Sequence, residues 1–294
     1  MPRVGANGID IYYEEHGEGE PLLLIMGWGG NAASWLPQVP GLAERFRVIT
    51  FDNRGVGRTD APDGPYSVHD MARDAAGLLD TLGIEKAHVM GISMGGMIAQ
   101  ALAIEHAERV DALVLGCTSP GGDQSAGFED LRENIDSFYD STEQDSLNLG
   151  WFMEFMRMLW TEGALARAET HLQDFVLSLI RYPPTTHGLQ HQATAVSEHD
   201  VFEQLSRIAQ PTLVITGDDD PLIHPDNSTI LAQRIPRAEL QVFAGLKHAF
   251  HLERPDLVNP MIIDFIHEAT RANGVVRPAA RPKTKRRSAK KMAK

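Results

Sequence analysis

Ser93 stands between two glycines in the stretch Gly91-Ile92-Ser93-Met94-Gly95. An apolar run at 87–92 precedes it and a Met- and Ala-rich helical pattern at 94–105 follows it. A serine on a sharp strand-to-helix turn lifts its hydroxyl clear of the sheet, and the glycines are needed where the backbones pass closely. Ser93 is therefore a candidate nucleophile. A serine hydroxyl is a weak nucleophile without a base. Of the 12 histidines, His248 follows the strand pattern at 239–243, so its loop can reach the same rim as Ser93. His251 is the competing histidine and is expected to pack structurally. The base needs an acid to orient it, and Gly217-Asp218-Asp219-Asp220-Pro221 follows another strand pattern at 211–216. Three carboxylates compete there. Distance from the strand end favours Asp220, with Asp218 stabilising the turn. The spacing lacks the pattern of a calcium loop, and no metal or cofactor is expected. An oxyanion would need donors. The Met94 N–H at the helix start is one. The Trp28 N–H in Gly27-Trp28-Gly29-Gly30 is the second, with its ring lining the acyl pocket.

These residues need a frame that brings strand ends together. Segments 22–26, 47–51, 87–92, 110–116 and 211–216 are continuous apolar runs, as expected of strands buried on both faces of a parallel sheet. Segment 9–13 alternates and reads as a further strand, while 68–82, 94–105, 226–235 and 255–270 have helical spacing. Repeated β–α units imply an α/β fold, a mostly parallel central sheet with helices on both faces. Ligands in such sheets bind at the carboxyl ends of the strands. Between 120 and 200 the strand rhythm stops, and Trp151, Phe152, Phe155, Met156 and Trp160 crowd together. This segment reads as a helical cap. Trp151, Phe155 and Trp160 are expected, with Trp28, to face the substrate. His187, His191 and His199 fit no metal-ligand spacing. The division is thus a core of 1–119 and 201–276, a cap of 120–200 and a tail of 277–294.

Several segments together resemble the α/β-hydrolase superfamily over roughly residues 9–270. Residues 51–59, Phe-Asp-Asn-Arg-Gly-Val-Gly-Arg-Thr, are similar to its D-x-R-G-x-G-x-S segment. Gly91-Ile92-Ser93-Met94-Gly95-Gly96 resembles its elbow and Gly217-Asp218-Asp219-Asp220 its acid loop, with the acid on Asp220. His248, Glu253 and Pro255 resemble its H-x(4)-E-x-P segment. One departure is Met26-Gly27, where the family usually has His-Gly. Within the superfamily the stretch Ser93-Met94-Gly95-Gly96-Met97 and the helical cap resemble the 3-oxoadipate enol-lactonase and carboxylesterase group. The chain order Ser93, Asp220, His248 is that of the family's triad. The resemblance implies a serine hydrolase acting on carboxylic esters or lactones of small, largely apolar substrates. The same triad also serves carbon–carbon bond hydrolysis and perhydrolysis, and the fold also serves ligand-binding receptors. Only neutral His248 can act as base, so kcat/KM is expected to rise near the reference value of about 6.5, within about a unit.

The composition narrows the classes further. The 294 residues are 43% hydrophobic, enough for a substantial core. No run of about eighteen apolar residues exists, which excludes a membrane-spanning helix, and the N-terminus lacks a secretory signal, so a cytoplasmic location is expected. The single cysteine, Cys117, ends the apolar run 110–117 and reads as a small buried residue. Net charge is −13, yet nine of the 27 basic residues lie in 277–294. The rest of the chain carries 18 basic against 40 acidic residues. Such an acidic body argues against nucleic-acid binding, and the tail is expected to be disordered. The expected partner is a small-molecule substrate.

Overall fold

The computed structural model describes residues 2–142 and 149–272. The basic tail at 277–294 lies outside them. Eight strands form one sheet in the order β1-β2-β4-β3-β5-β6-β7-β8. They are β1 (Arg3–Ala6), β2 (Ile9–His16), β3 (Glu20–Ile25), β4 (Phe46–Phe51), β5 (Ala87–Ile92), β6 (Val110–Gly116), β7 (Thr212–Gly217) and β8 (Ala238–Phe243). β1 and β2 pair antiparallel, as do β2 and β4, and every later pairing is parallel. The sheet is therefore mostly parallel, with its strand ends gathered on one rim.

Alternation along the strands builds two cores. Leu23, Ile25, Ile49, Val89, Leu113 and Val214 face one core. It is closed by α2 (Val68–Thr81) and α3 (Met94–Glu105). Leu22, Leu24, Val48, Met90, Val114 and Ile215 face the other, closed by α1 (Val39–Leu42) and α11 (Pro255–Ala272). Burial on both faces is what made these strands continuous apolar runs. The start of α2 is fixed by a capping box, in which the Ser67 hydroxyl accepts from the Asp70 N–H and the Asp70 carboxylate from the Ser67 N–H.

Among the described residues five α-helices fall between β6 and β7: α4 (Phe128–Thr142), α5 (Leu149–Leu159), α6 (Glu162–Arg167), α7 (Thr170–Arg181) and α8 (Thr186–Ser197). An isolated antiparallel bridge between Gly121 and Asp200 pins the ends of this insertion together. α9 (Asp226–Arg234) follows β7, and the short α10 (Phe250–Glu253) follows β8 and precedes α11. Among the described residues no helix is long and apolar enough to cross a membrane.

Candidate active site

The turn between β5 and α3 holds Ser93 at φ 57° and ψ −124°. A non-glycine residue at positive φ is strained, and such strain persists only where the surroundings hold it. Here the Ser93 N–H donates to the Gly116 carbonyl at 2.9 Å. The Ser93 carbonyl accepts from the Gly96 N–H at 2.8 Å and from the Thr118 hydroxyl at 2.7 Å. The flanking glycines are demanded by close approach. A Cβ on Gly91 would lie 2.1 Å from the Gly95 carbonyl oxygen, and one on Gly95 would lie 2.0 Å from that of Ile25. Gly27 in the β3 loop faces the elbow as well, since a Cβ there would meet the Ser93 Cβ at 3.1 Å. The loop that carries Trp28 thus lies against Ser93. Two of its N–H groups are committed elsewhere, Gly29 to the Gln192 side chain at 3.0 Å and Gly30 to the Gly27 carbonyl at 3.2 Å. Met94 is the first residue of α3, where an N–H has no acceptor within the helix.

The loops after β7 and β8 bring the candidate acid and the candidate base together. His248 Nδ1 and Asp220 Oδ2 are 2.7 Å apart, and both residues are buried. The other carboxylate oxygen of Asp220 accepts from the N–H groups of Leu222 at 2.9 Å and Ile223 at 3.0 Å. Asp220 is therefore held from both sides. Asp218 plays a different part, because its carboxylate accepts from the Gly245 N–H at 2.6 Å and ties the two loops together. Burial disfavours a charged His248, while the Asp220 carboxylate, with Cys117 beside it, favours the charged form and raises the imidazole above its usual 6.5.

Cys117 is a third member of this cluster. It follows β6, has φ 37° and is fully buried. Its sulfur lies within 4.8 Å of the ligand atoms of Asp220 and His248. Burial pushes its thiol up, so it stands beside the pair as a neutral S–H. The reading of Cys117 as a small buried residue at a strand end agrees with its burial, and its place beside the Asp220–His248 pair was not foreseen.

A cavity of about 110 Å³ opens on Ser93 and His248. Trp28, Trp151 and Phe155 form one wall. Trp28 meets Trp151 edge-on at 5.9 Å and Phe155 at 5.6 Å, and those two stack at 5.1 Å. Trp160 is a correction. It lies just past α5, is fully buried and packs with Met156, Leu159, Ala164 and Leu172 inside the insertion, not on the cavity wall. His251 packs beside Trp35, as expected, and also lines the cavity. Asn134 on α4 lines it too, and no spacing pattern had marked that residue.

The remaining matched segments act as scaffold. Asp52 accepts from the Ala32 N–H at 2.7 Å and from the Arg58 N–H at 2.7 Å, fixing the loops after β3 and β4. A Cβ on Gly57 would strike the Asp52 carboxylate at 2.4 Å. Arg54 forms a two-pronged buried pair with Asp74 at 2.6 and 2.7 Å. Glu253 accepts from the Thr161 hydroxyl at 2.5 Å, linking α10 to the insertion.

Comparison with known proteins agrees with this architecture. Residues 20–255 match the family model described as the alpha/beta hydrolase fold. The chain is 33% identical over 276 residues to a putative carbamate hydrolase RutD of Azorhizobium caulinodans, covering 91% of this chain and 99% of that protein. It is 31% identical over 264 residues to a putative non-heme bromoperoxidase BpoC of Mycobacterium tuberculosis, covering 87% and 97%. An enol-lactonase crystal structure from Burkholderia xenovorans superposes with a TM-score of 0.80 at 27% identity, covering 90% of this chain and all of that one. With its sheet order, its strained serine turn and these matches, the chain belongs to the α/β-hydrolase fold family and is a hydrolase.

Proposed function

We propose that the chain is a serine hydrolase that cleaves small, largely apolar carboxylic esters or lactones through an acyl-enzyme. The observation that carries this reading is the buried Asp220–His248 pair, 2.7 Å apart, opening on the same cavity as a serine held at φ 57°. In this reading neutral His248 takes the Ser93 proton as Ser93 Oγ attacks the carbonyl carbon. Asp220 holds the imidazole in the tautomer with hydrogen on Nδ1 and stabilises the imidazolium that forms. The Met94 and Trp28 N–H groups hold the oxyanion. The leaving alkoxide takes the proton from His248, and water deprotonated by His248 then releases the acid. Small-molecule selection falls to the wall of Trp28, Trp151 and Phe155, whose apolar surface favours uncharged groups.

Replacing Ser93 by Ala tests the reading. Turnover of p-nitrophenyl esters by the purified variant is expected to fall by about 10⁴-fold or more, and fluorophosphonate labelling to vanish. Unchanged turnover refutes it. A second reading, carbamate hydrolysis, is favoured by the 33% identity to the putative carbamate hydrolase over nearly that protein's whole length. It uses the same residues, with His248 protonating a departing amine. An ester panel run beside matched carbamates separates the two.

A further inference from the structure

α4 turns one face toward the cavity. Over 128–135, Phe128, Leu131, Asn134 and Ile135 are withdrawn from solvent, while Glu129, Asp130, Arg132 and Glu133 are exposed. Spacings of three and four residues put Leu131, Asn134 and Ile135 on one side of the helix, and all three line the cavity. Leu131 and Ile135 also join the core that α3 helps to close. A helix that only had to pack would carry a third apolar side chain at 134. This one carries a carboxamide.

Asn134 is half-buried, and among the described residues its carboxamide has no hydrogen-bond partner. Neither amide atom is among the closed-off side-chain atoms, so both remain open to a ligand. The other polar groups on the wall are committed. Ser93 and His248 belong to the proposed reaction. Trp28 Nε1 donates to the Leu189 carbonyl at 2.9 Å, and both ring nitrogens of His251 are closed off. Trp151 carries an indole N–H, which is a donor alone. Among the described residues no Arg, Lys, Asp or Glu lines the cavity. Outside the reacting pair, Asn134 is therefore the wall side chain that can both donate and accept. A polar group of a ligand set against the apolar wall loses its water without replacement. One set against Asn134 regains a donor and an acceptor, and a charged one finds no opposite charge.

We propose that Asn134 is the polar specificity residue of the cavity, binding an uncharged group of the substrate that both donates and accepts, a hydroxyl or a carboxamide. That group is separate from the scissile carbonyl, whose oxygen goes to the Met94 and Trp28 N–H groups in the proposed scheme. The inference rests on the ester-hydrolase reading and narrows its substrates to largely apolar esters or lactones that carry one such group. Asn134 does not touch the reacting atoms.

The test uses the full chain and matched esters ending in methyl, hydroxyl, carboxamide or ammonium, over a series of chain lengths on the acyl and on the alcohol side. At one length wild type is expected to turn over the hydroxyl or carboxamide ester at least as well as the methyl ester. Asn134→Leu keeps the volume and suits a helix. It is expected to lower kcat/KM for that hydroxyl or carboxamide ester about tenfold, mainly through KM, as loss of one hydrogen bond implies. The methyl ester should stay within about twofold. Asn134→Asp keeps the shape and adds a negative charge. It is expected to raise kcat/KM for the ammonium ester about tenfold over wild type, a gain that a packing or solvated side chain cannot give. Equal loss on all esters with Asn134→Leu, or loss on none, overturns the assignment. If Asn134→Leu does not fold, Asn134→Asp decides alone, and an unchanged ratio of ammonium to methyl ester overturns the proposal. Absent turnover of every ester by wild type, the methyl ester included, refutes the ester-hydrolase reading itself, so the two failures are distinguishable.

Discussion

Asp220→Asn isolates what the acid contributes, because the change removes a charge and almost no volume. One carboxylate oxygen accepts from the Leu222 and Ile223 N–H groups, and the other faces His248 Nδ1 at 2.7 Å. An asparagine oxygen can keep the two backbone donors only by turning its NH₂ toward His248. Nδ1 must then accept, which moves the ring hydrogen to Nε2, the nitrogen left for Ser93. The opposite flip sets NH₂ against two N–H donors and costs about 1–3 kcal/mol for each bond lost. The first arrangement is favoured, and its imidazole is in the wrong tautomer to act as base. The charge is lost too. At about 4 Å between charge centres and an effective dielectric of about 20, the carboxylate–imidazolium attraction is about 4 kcal/mol. Each ~1.4 kcal/mol of barrier is tenfold in rate, so kcat on a p-nitrophenyl ester should fall about 10³- to 10⁴-fold. Urea unfolding measured at a pH above the raised His248 value, where the imidazole is neutral, should shift by no more than about 1 kcal/mol, since both backbone bonds survive. Asp218→Asn is the control. That side chain serves the Gly245 N–H at 2.6 Å and does not meet His248, so activity should stay within about threefold. An Asp220→Asn enzyme within about tenfold of wild type would refute the orienting role of Asp220.

Two further predictions concern protons. Asp220 holds His248 well above 6.5, and only neutral His248 can accept from Ser93, so kcat/KM should be lost as pH falls through that raised value; a half-maximum at or below 6.5 would contradict it. His199 is the converse case: burial first, then His69, lower its pKa to about 3, while the unfolded chain titrates near 6.5. Its share of stability is complete above 6.5 and is lost as pH falls, by about 1.4 kcal/mol per unit and about 2 kcal/mol at about pH 5. Urea titrations at two pH values should show a shallower acid loss for His199→Phe, and equal slopes would sink the argument.

Long parallel strands were legible because burial on both faces leaves a run with no polar interruption, as in Val110–Gly116. β1 was not foreseen, since Arg3–Ala6 is a short edge strand with a glycine inside and only Ala6 buried. The turns at Ala32–Trp35 and Val39–Leu42 are too short to show a period. The error over Trp160 has a simple cause. Aromatic residues crowded in one segment all look inward-facing until the helix is wound. Trp151 and Phe155 are four apart and share a face, whereas Trp160 lies beyond the end of α5 and turns into the insertion. His251 packs against Trp35 and Phe250 as its sequence position suggested, and nothing in that position showed that it also borders the cavity.

The insertion is tied to the very loops that carry the proposed chemistry. Trp28 Nε1 donates to the Leu189 carbonyl at 2.9 Å, and Gly29 donates to Gln192, whose Nε2 donates to the Arg54 carbonyl at 2.8 Å. These bonds join α8 to the loop beside the elbow. On the other side the Ala249 N–H donates to the Leu159 carbonyl at 2.7 Å, one residue from His248, and Thr161 donates to Glu253. The Arg58 guanidinium lies between the rings of Tyr12 and Tyr182, joining the end of α7 to the core. A displacement of these helices therefore reaches the Trp28 N–H and the His248 loop through hydrogen bonds, and not only through the shape of the cavity. Misplacement of about 1 Å at reacting groups can cost about 10²-fold in rate. On the proposed function, the helices that line the cavity thus also help set the positions of the base and of the oxyanion donor. On that reading the segments that carry Ser93, Asp220 and His248 give the reaction class, while the choice of bond falls to the cavity-lining residues of α4, α5 and α8.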